Sequence, residues 1–338
     1  MSGMLDENGL AGLMNEKNHV EEVLAAPQFR VLTGREDNRS LSTEQATWGV
    51  ERLQIDDLNY TGKGIKIGHI DTGVDPAHPV LNGDTAAVQG FAYINEDGTV
   101  DRTVPPMDFS AQGHGTHTAG TIAGRYVEGV PRIGVAPGCS LFSAVVGSDD
   151  SELHLLDRLI GALNWVISQG VQVVNMSVGC DGEPDALQGL IQLFQSMLTR
   201  NILPVCAAGD RGSGNGDAPG NYTNVISVGA SDASDGVWSE SGSADVPRIV
   251  PDLLAPGVSV YSSLPTNLSP QYGTKTGTSM AAPHISGLAA LMMEAKPDRT
   301  AAEIKGAIFG GCRRPGTVPA PRGNRGIPTL PQALANLS

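Results

Sequence analysis

A serine hydroxyl attacks well at neutral pH only beside a base, and the base works best when an acid holds it. Three stretches of this 338-residue chain supply those residue types. Ser279 lies in Gly277-Thr278-Ser279-Met280-Ala281-Ala282-Pro283-His284, at the head of a small, apolar helical run. There its Oγ would be exposed beside the helix's free N–H groups. His114 lies in Gly113-His114-Gly115-Thr116-His117-Thr118-Ala119-Gly120-Thr121, which also opens a small-residue helix. Asp71 closes the apolar run Gly64-Ile65-Lys66-Ile67-Gly68-His69-Ile70 and begins the turn Asp71-Thr72-Gly73-Val74-Asp75. Taken singly, Ser279 reads as a helix N-cap and Asp71 as a turn-forming carboxylate. Together the three supply nucleophile, base and orienting acid for acyl transfer.

Bringing them together requires an open α/β sheet, in which strand C-terminal ends and the following helix N-termini meet at one crevice. The pattern from Trp48 onward alternates strand and helix, which predicts a mainly parallel sheet covered on both faces. The predicted strands are 65–70, 140–146, 171–176, 202–207, 225–230 and 259–263. The predicted helices are 114–123, 153–168, 184–199, 279–295 and 300–309. The chain divides into an N-terminal extension, residues 1–45, and one catalytic domain, residues 46–338. The extension carries a helical pattern at 20–25 and a short strand at 29–32; it reads as a regulatory leader, a packing extension or a disordered tail.

These motifs resemble the subtilisin-like serine peptidases, including intracellular members. The resemblance rests on Ile70-Asp71-Thr72-Gly73, Gly113-His114-Gly115-Thr116-His117, Asn175-Met176-Ser177-Val178-Gly179, Ala207-Ala208-Gly209 and Gly277 to His284, in that order from about Gly49 to the chain end. The order Asp, His, Ser is the subtilisin order. The resemblance implies a doubly wound sheet of about seven strands and a serine endopeptidase with Asp71, His114 and Ser279 as its triad. It makes residues 1–45 a candidate short propeptide, and the tail with 331–334 resembles the family's closing turn and short helix. It also implies that Ser177, Val178 and Gly179 form a backbone edge for an extended substrate and wall its primary pocket with Ala207, Ala208 and Gly209, helped by a segment near 147–152. Cys180 stands where glycine is usual, which reads as an inert buried thiol.

One departure concerns the oxyanion. The Ser279 N–H is one donor, and in the family an asparagine after Ala-Ala-Gly is usually the other, but here Asp210 follows Gly209. An ionised carboxylate only accepts hydrogen bonds. Asp210 then donates as a neutral acid, giving an acid-leaning pH profile; or Asn215 or Asn221 substitutes; or the enzyme is weak, and the alternative is a peptide-binding pseudopeptidase. Asp217 falls where the pocket floor is expected, which favours Arg or Lys before the scissile bond.

His117, His284 and His78 read as structural, and His69 as a packed polar residue on the Asp71 strand face. No HExxH or thiol cluster suggests a metal. The family's usual calcium site looks absent, because Val80 replaces a carboxylate and the loop 125–133 lacks an asparagine-rich ligand run. No cofactor is expected, although weaker calcium sites are compatible with the sequence. A net charge of −14 disfavours nucleic acid and anionic membranes. No secretory signal or run of about 18 apolar residues is visible. Four scattered cysteines without a CxxC pair suit a cytoplasmic setting. Protein or peptide substrates are the expected partners.

Overall fold

The computed structural model describes residues 29–32, 35–37, 46–55, 59–82, 85–148, 155–180, 188–245 and 248–337. The helical pattern at 20–25 and most of the 147–152 edge lie outside them, as do the first residues expected of the 153–168 and 184–199 helices. In chain order the strands are β1 (Phe29–Val31), β2 (Arg35–Asp37), β3 (Lys66–Asp71), β4 (Val88–Ile94), β5 (Val100–Asp101), β6 (Ser140–Val145), β7 (Val173–Met176), β8 (Val178–Cys180), β9 (Leu203–Ala207), β10 (Ile226–Ser231), β11 (Leu253–Pro256), β12 (Val260–Ser263) and β13 (Tyr272–Thr276). The helices that matter here are α1 (Trp48–Arg52), α2 (His114–Ala123), α3 (Leu155–Ser168), α4 (Gln188–Thr199), α5 (Thr278–Ala295) and α6 (Ala301–Gly310), and Leu330–Ala335 forms the closing helix.

Eight strands form the central sheet in the order β11-β10-β9-β7-β3-β6-β4-β5. All its pairings are parallel except that of β5, a two-residue antiparallel edge on β4. The inner strands β7, β9 and β10 are buried along their whole length, as parallel strands covered on both faces must be. Chain order reverses around β3, whose neighbours are β7 on one side and β6 on the other, so its C-terminal end opens on a crevice. Asp71 is the last residue of β3.

Two cores flank the sheet. One contains residues of α2, α5 and α6; the other contains residues of α3 and α4. Helix α5 is buried from Thr278 to Met293, and its alanines and glycine let it lie against β7, β9, β10, β11 and α2. A helix apolar on every side belongs in the middle of a large domain. At the periphery β1 pairs with β8, and β2 pairs with β13, which pairs with β12. Two short pieces of the N-terminal extension are therefore stitched to the body at the mouth of the sheet.

Candidate active site

Asp71 is fully buried, so its carboxylate needs several partners to remain charged. Its Oδ1 accepts from the Thr72 N–H at 2.7 Å and faces His114 Nδ1 at 2.7 Å, and its Oδ2 accepts from the Thr118 hydroxyl at 2.9 Å. Burial pushes this carboxyl up, but the His114 charge and these hydrogen bonds outweigh it and hold the group below the usual carboxylate range. Burial pulls His114 down, and the neighbouring Asp71 charge and hydrogen bond reverse that, leaving the imidazole above its usual value. His114 opens α2 behind Gly113, whose φ of 69° is left-handed. A side chain there would begin 2.1 Å from Pro265 Cδ, so both backbone and space require glycine at the entry to this helix.

Ser279 is the second residue of α5 and has no exposed surface. Four residues on, Pro283 has no N–H to give the Ser279 carbonyl. The Ser177 hydroxyl donates to that oxygen instead, at 3.0 Å. A defect in the helix ladder thus ties the serine to the segment before β8.

The Leu32 carbonyl oxygen completes the cluster. It accepts from Ser279 Oγ at 2.5 Å and lies 2.9 Å from His114 Nε2. Both ring nitrogens of His114 therefore face acceptors, a carboxylate and a carbonyl, so beside an ionised Asp71 the ring carries both protons. Residues 29–31 pair antiparallel with β8, Phe29 opposite Cys180, Arg30 opposite Gly179 and Val31 opposite Val178. The Leu32 N–H continues the ladder to the Ser177 carbonyl at 3.2 Å. The Leu32 side chain is buried beside Gly179, with Cδ1 3.2 Å from where a side chain on that glycine would begin. An extended segment of this chain thus lies along the 177–179 edge with an apolar side chain in the pocket and its carbonyl at the serine.

The subtilase family profile matches residues 62–312. The chain belongs to this family. It is 32% identical to Subtilisin E of Bacillus subtilis (strain 168) over 308 residues, covering 88% of this chain and 74% of that protein. It is 33% identical to Subtilisin DY of Bacillus licheniformis over 273 residues, 77% of this chain and 89% of the relative. Subtilisin Savinase of Lederbergia lenta is 33% identical over 270 residues, 78% and 89% of the two chains. The chain is a subtilisin-like serine endopeptidase whose substrates are proteins, and its α/β sheet is the expected one.

In this subtilase Asp210 lies against the residue before the serine. Its Oδ1 accepts from the Thr278 N–H at 2.9 Å and the Thr278 hydroxyl at 2.7 Å, and that hydroxyl accepts from the Gly209 N–H at 3.2 Å. Burial pushes the Asp210 carboxyl up to about 6; the Thr278 hydrogen bonds oppose this and the Asp217 charge adds to it. The Asn215 amide donates to the Arg211 and Ser213 carbonyls of its own loop, and the Asn221 backbone is bonded to Asp217 and Arg248. Of the three candidates, Asp210 is the one held at the head of α5.

Asp217 is fully buried between the two pocket walls: side chains on Gly179 and Gly209 would begin 3.0 Å from its Cβ and 2.6 Å from its Cγ. Its carboxylate is already engaged, by Arg211 at 2.6 Å and by Arg30 of the bound segment at 3.1 Å. Cys180 is buried, with its backbone bridged to Ala218.

Among the remaining histidines, His117 contacts the Val260 carbonyl, His78 the Gln271 carbonyl and His284 the Met280 carbonyl, each through one ring nitrogen. Each is thus tied to the backbone. His69 is different: its Nδ1 is 3.1 Å from Ser143 Oγ and its Nε2 is 2.8 Å from Thr118 Oγ1, with Asp71 Oδ2 beyond at 3.6 Å. Two Ser–His sets thus share one acid. Where the family's calcium site would be sought, Val80 is buried and apolar, and its carbonyl takes the Arg125 N–H. The Arg125 guanidinium donates to the carbonyls of Thr85, Ala123 and Cys139. Leu32, Thr72, Thr118 and Ser143 are absent from the sequence-derived site. For Leu32 a signal existed in the short strand pattern at 29–32.

Proposed function

We propose that this subtilase cleaves peptide bonds through an acyl-enzyme on Ser279, with His114 as general base and then general acid and Asp71 orienting the imidazole. The observation that carries the reading is the Leu32 carbonyl: a peptide carbonyl lies within hydrogen-bond reach of both Ser279 Oγ and His114 Nε2, on the imidazole that Asp71 holds. Ser143 and His69 flank the same acid, but Ser143 is fully buried on β6 between β3 and β4, where no substrate carbonyl can reach it. The oxyanion is met by the Ser279 N–H and by Asp210 in its protonated form, so the pH profile leans acidic.

Residues 29–32 act as the inhibitory part of the leader, with β2 pairing beside them. In a productive complex the scissile carbon faces the serine and its oxygen points to the oxyanion donors. Here the oxygen itself accepts the hydroxyl's hydrogen bond, so the segment occupies the cleft without being positioned for attack. Each ladder hydrogen bond contributes about 1 kcal/mol net, and burying Leu32 about 1.5–3 kcal/mol. That suffices for a tethered segment to block the site, yet a good substrate can displace it. Leu32 in the pocket and the engagement of Asp217 by Arg211 favour an apolar residue before the scissile bond over the Arg or Lys expected from Asp217 alone.

The family's usual calcium position takes no part in this reading, since an apolar Val80 and a guanidinium among backbone carbonyls are unsuited to a cation that wants about 6–8 oxygen ligands. The four free cysteines favour a reducing, intracellular setting. The test is labelling by a fluorophosphonate probe. The wild-type chain is expected to label and Ser279→Ala to remain unlabelled; label on Ser279→Ala would overturn the assignment, and an unlabelled wild type that still binds peptides would favour the pseudopeptidase.

A further inference from the structure

We infer that His69 is a positioning residue for the triad, fixing the Thr118 hydroxyl so that it donates to the oxygen of Asp71 that His114 does not use. The inference rests on the Asp71–His114–Ser279 reading above and adds a residue behind it.

The assignment follows from counting protons. Thr118 Oγ1 has one proton and two acceptors in reach, Asp71 Oδ2 at 2.9 Å and the Gly115 carbonyl at 3.1 Å. His69 Nε2 is 2.8 Å from the same hydroxyl oxygen. If Nε2 were the bare nitrogen, it would compete for that single proton and turn it away from the carboxylate. If Nε2 carries the hydrogen, it donates to Thr118 Oγ1 and leaves the hydroxyl proton free for Asp71. His69 Nδ1 is then the acceptor, and Ser143 Oγ, 3.1 Å away, supplies its proton. The chain Ser143 to His69 to Thr118 to Asp71 has every donor pointing toward the acid, and each bond polarises the next.

The elements make this arrangement rigid. His69 and Ser143 are register partners on the parallel strands β3 and β6, and Thr118 is on α2, one turn after His114. His69, Thr118 and Ser143 have no exposed surface, so water cannot replace a missing donor. Burial pulls His69 below its usual value, with Asp71 and Asp108 opposing and His114 adding to the depression, so the ring is neutral. Asp71 Oδ2 thus accepts a hydrogen bond without a second positive charge being placed beside His114.

The relay sets how firmly Asp71 holds the His114 proton. A carboxylate that loses a donor becomes a stronger partner for imidazolium, so His114 would deprotonate at higher pH. The charged and titratable groups facing His114 are Asp71, Asp108, Asp210, Lys275, His117 and the neutral His69, and all but His69 are kept in the His69 variants.

The experiment measures kcat, KM and the acid limb of kcat/KM against pH on the full chain, with active sites counted by fluorophosphonate titration. His69→Leu is expected to lower kcat about tenfold, to leave KM within about twofold and to move the acid limb up by about half a pH unit or more. In His69→Gln the side-chain amide again offers an N–H to Thr118 and should restore most of both losses. A purely structural role would reduce the titrated fraction while leaving the limb in place, and Gln would rescue nothing; that outcome overturns the inference. Should His69→Leu not fold, Ser143→Ala serves, because loss of its hydroxyl lets His69 move its proton to Nδ1 and draw the Thr118 proton away. A smaller upward shift with activity retained supports the relay, and an unmoved limb refutes it. Abolished activity in Ser143→Ala together with an active Ser279→Ala would overturn the underlying triad reading instead.

Discussion

Asp217 is buried and Asp210 half-buried, and their different partners give them different work. Asp217 meets two guanidiniums; Asp210 meets the N–H and hydroxyl of Thr278 and is pushed up to about 6. A group with a raised value donates only below that value, so the second oxyanion donor is lost as pH rises through about 6, where the base His114 still needs to lose its proton. Asp210→Asn supplies a donor at every pH and should raise kcat/KM at pH 8 by about tenfold or more, against the ~10²–10³ that one donor is worth. An unchanged rate at pH 8 would remove Asp210 from the chemistry. For the pocket, a peptide series varying only the residue before the scissile bond should favour Leu over Arg by about tenfold, and the reverse order would return Asp217 to the role its sequence position suggested. Asp71, His114 and Ser279 were legible because side-chain types announce their chemistry. Leu32 acts through its main-chain carbonyl, which every residue has, so nothing in its type marks it.

At the scale of elements, the buried helices α2 and α5 could be read from their runs of small residues, and the inner strands from their unbroken apolar runs. Of the strands that escaped, three did so for identifiable reasons. In β4 the register shifts between Val88 and Gly90, which breaks the alternation. β11 is four residues ending in Pro256, and β13 is the polar Tyr-Gly-Thr-Lys-Thr, held by pairing on both sides to β12 and β2. Such strands are made by their neighbours rather than by their own pattern. The β1–β8 pairing carries its own test. Leu32→Asp would place a charge in an apolar pocket beside Asp217, and should raise the full chain's activity on a small peptide substrate about tenfold or more while KM falls. Unchanged kinetics would mean that the 29–32 segment does not restrain the enzyme.

Over the whole molecule, proton binding and stability are linked through the triad. His114 is held above its unfolded value of 6.5, so its contribution is fully present below that pH and is lost as pH rises through the folded value. Asp71, held below 3.8, contributes above that pH and loses its share only as pH falls through its lower folded value. The thermal midpoint should therefore decline from about pH 6.5 upward, and the decline should flatten in His114→Ala; an equal slope in both would place the titrating group elsewhere. The same proton bridges His114 to the Leu32 carbonyl, so alkaline conditions loosen the segment that covers the cleft. The guanidinium of Arg125 has another consequence. Three backbone oxygens around it already have a positive charge, and that charge is fixed to the chain by covalent bonds, so no scavenger can strip it away. Excess EDTA should leave both the thermal midpoint and the inactivation half-life of this protein where they stand, which would suit it to work in media full of chelators.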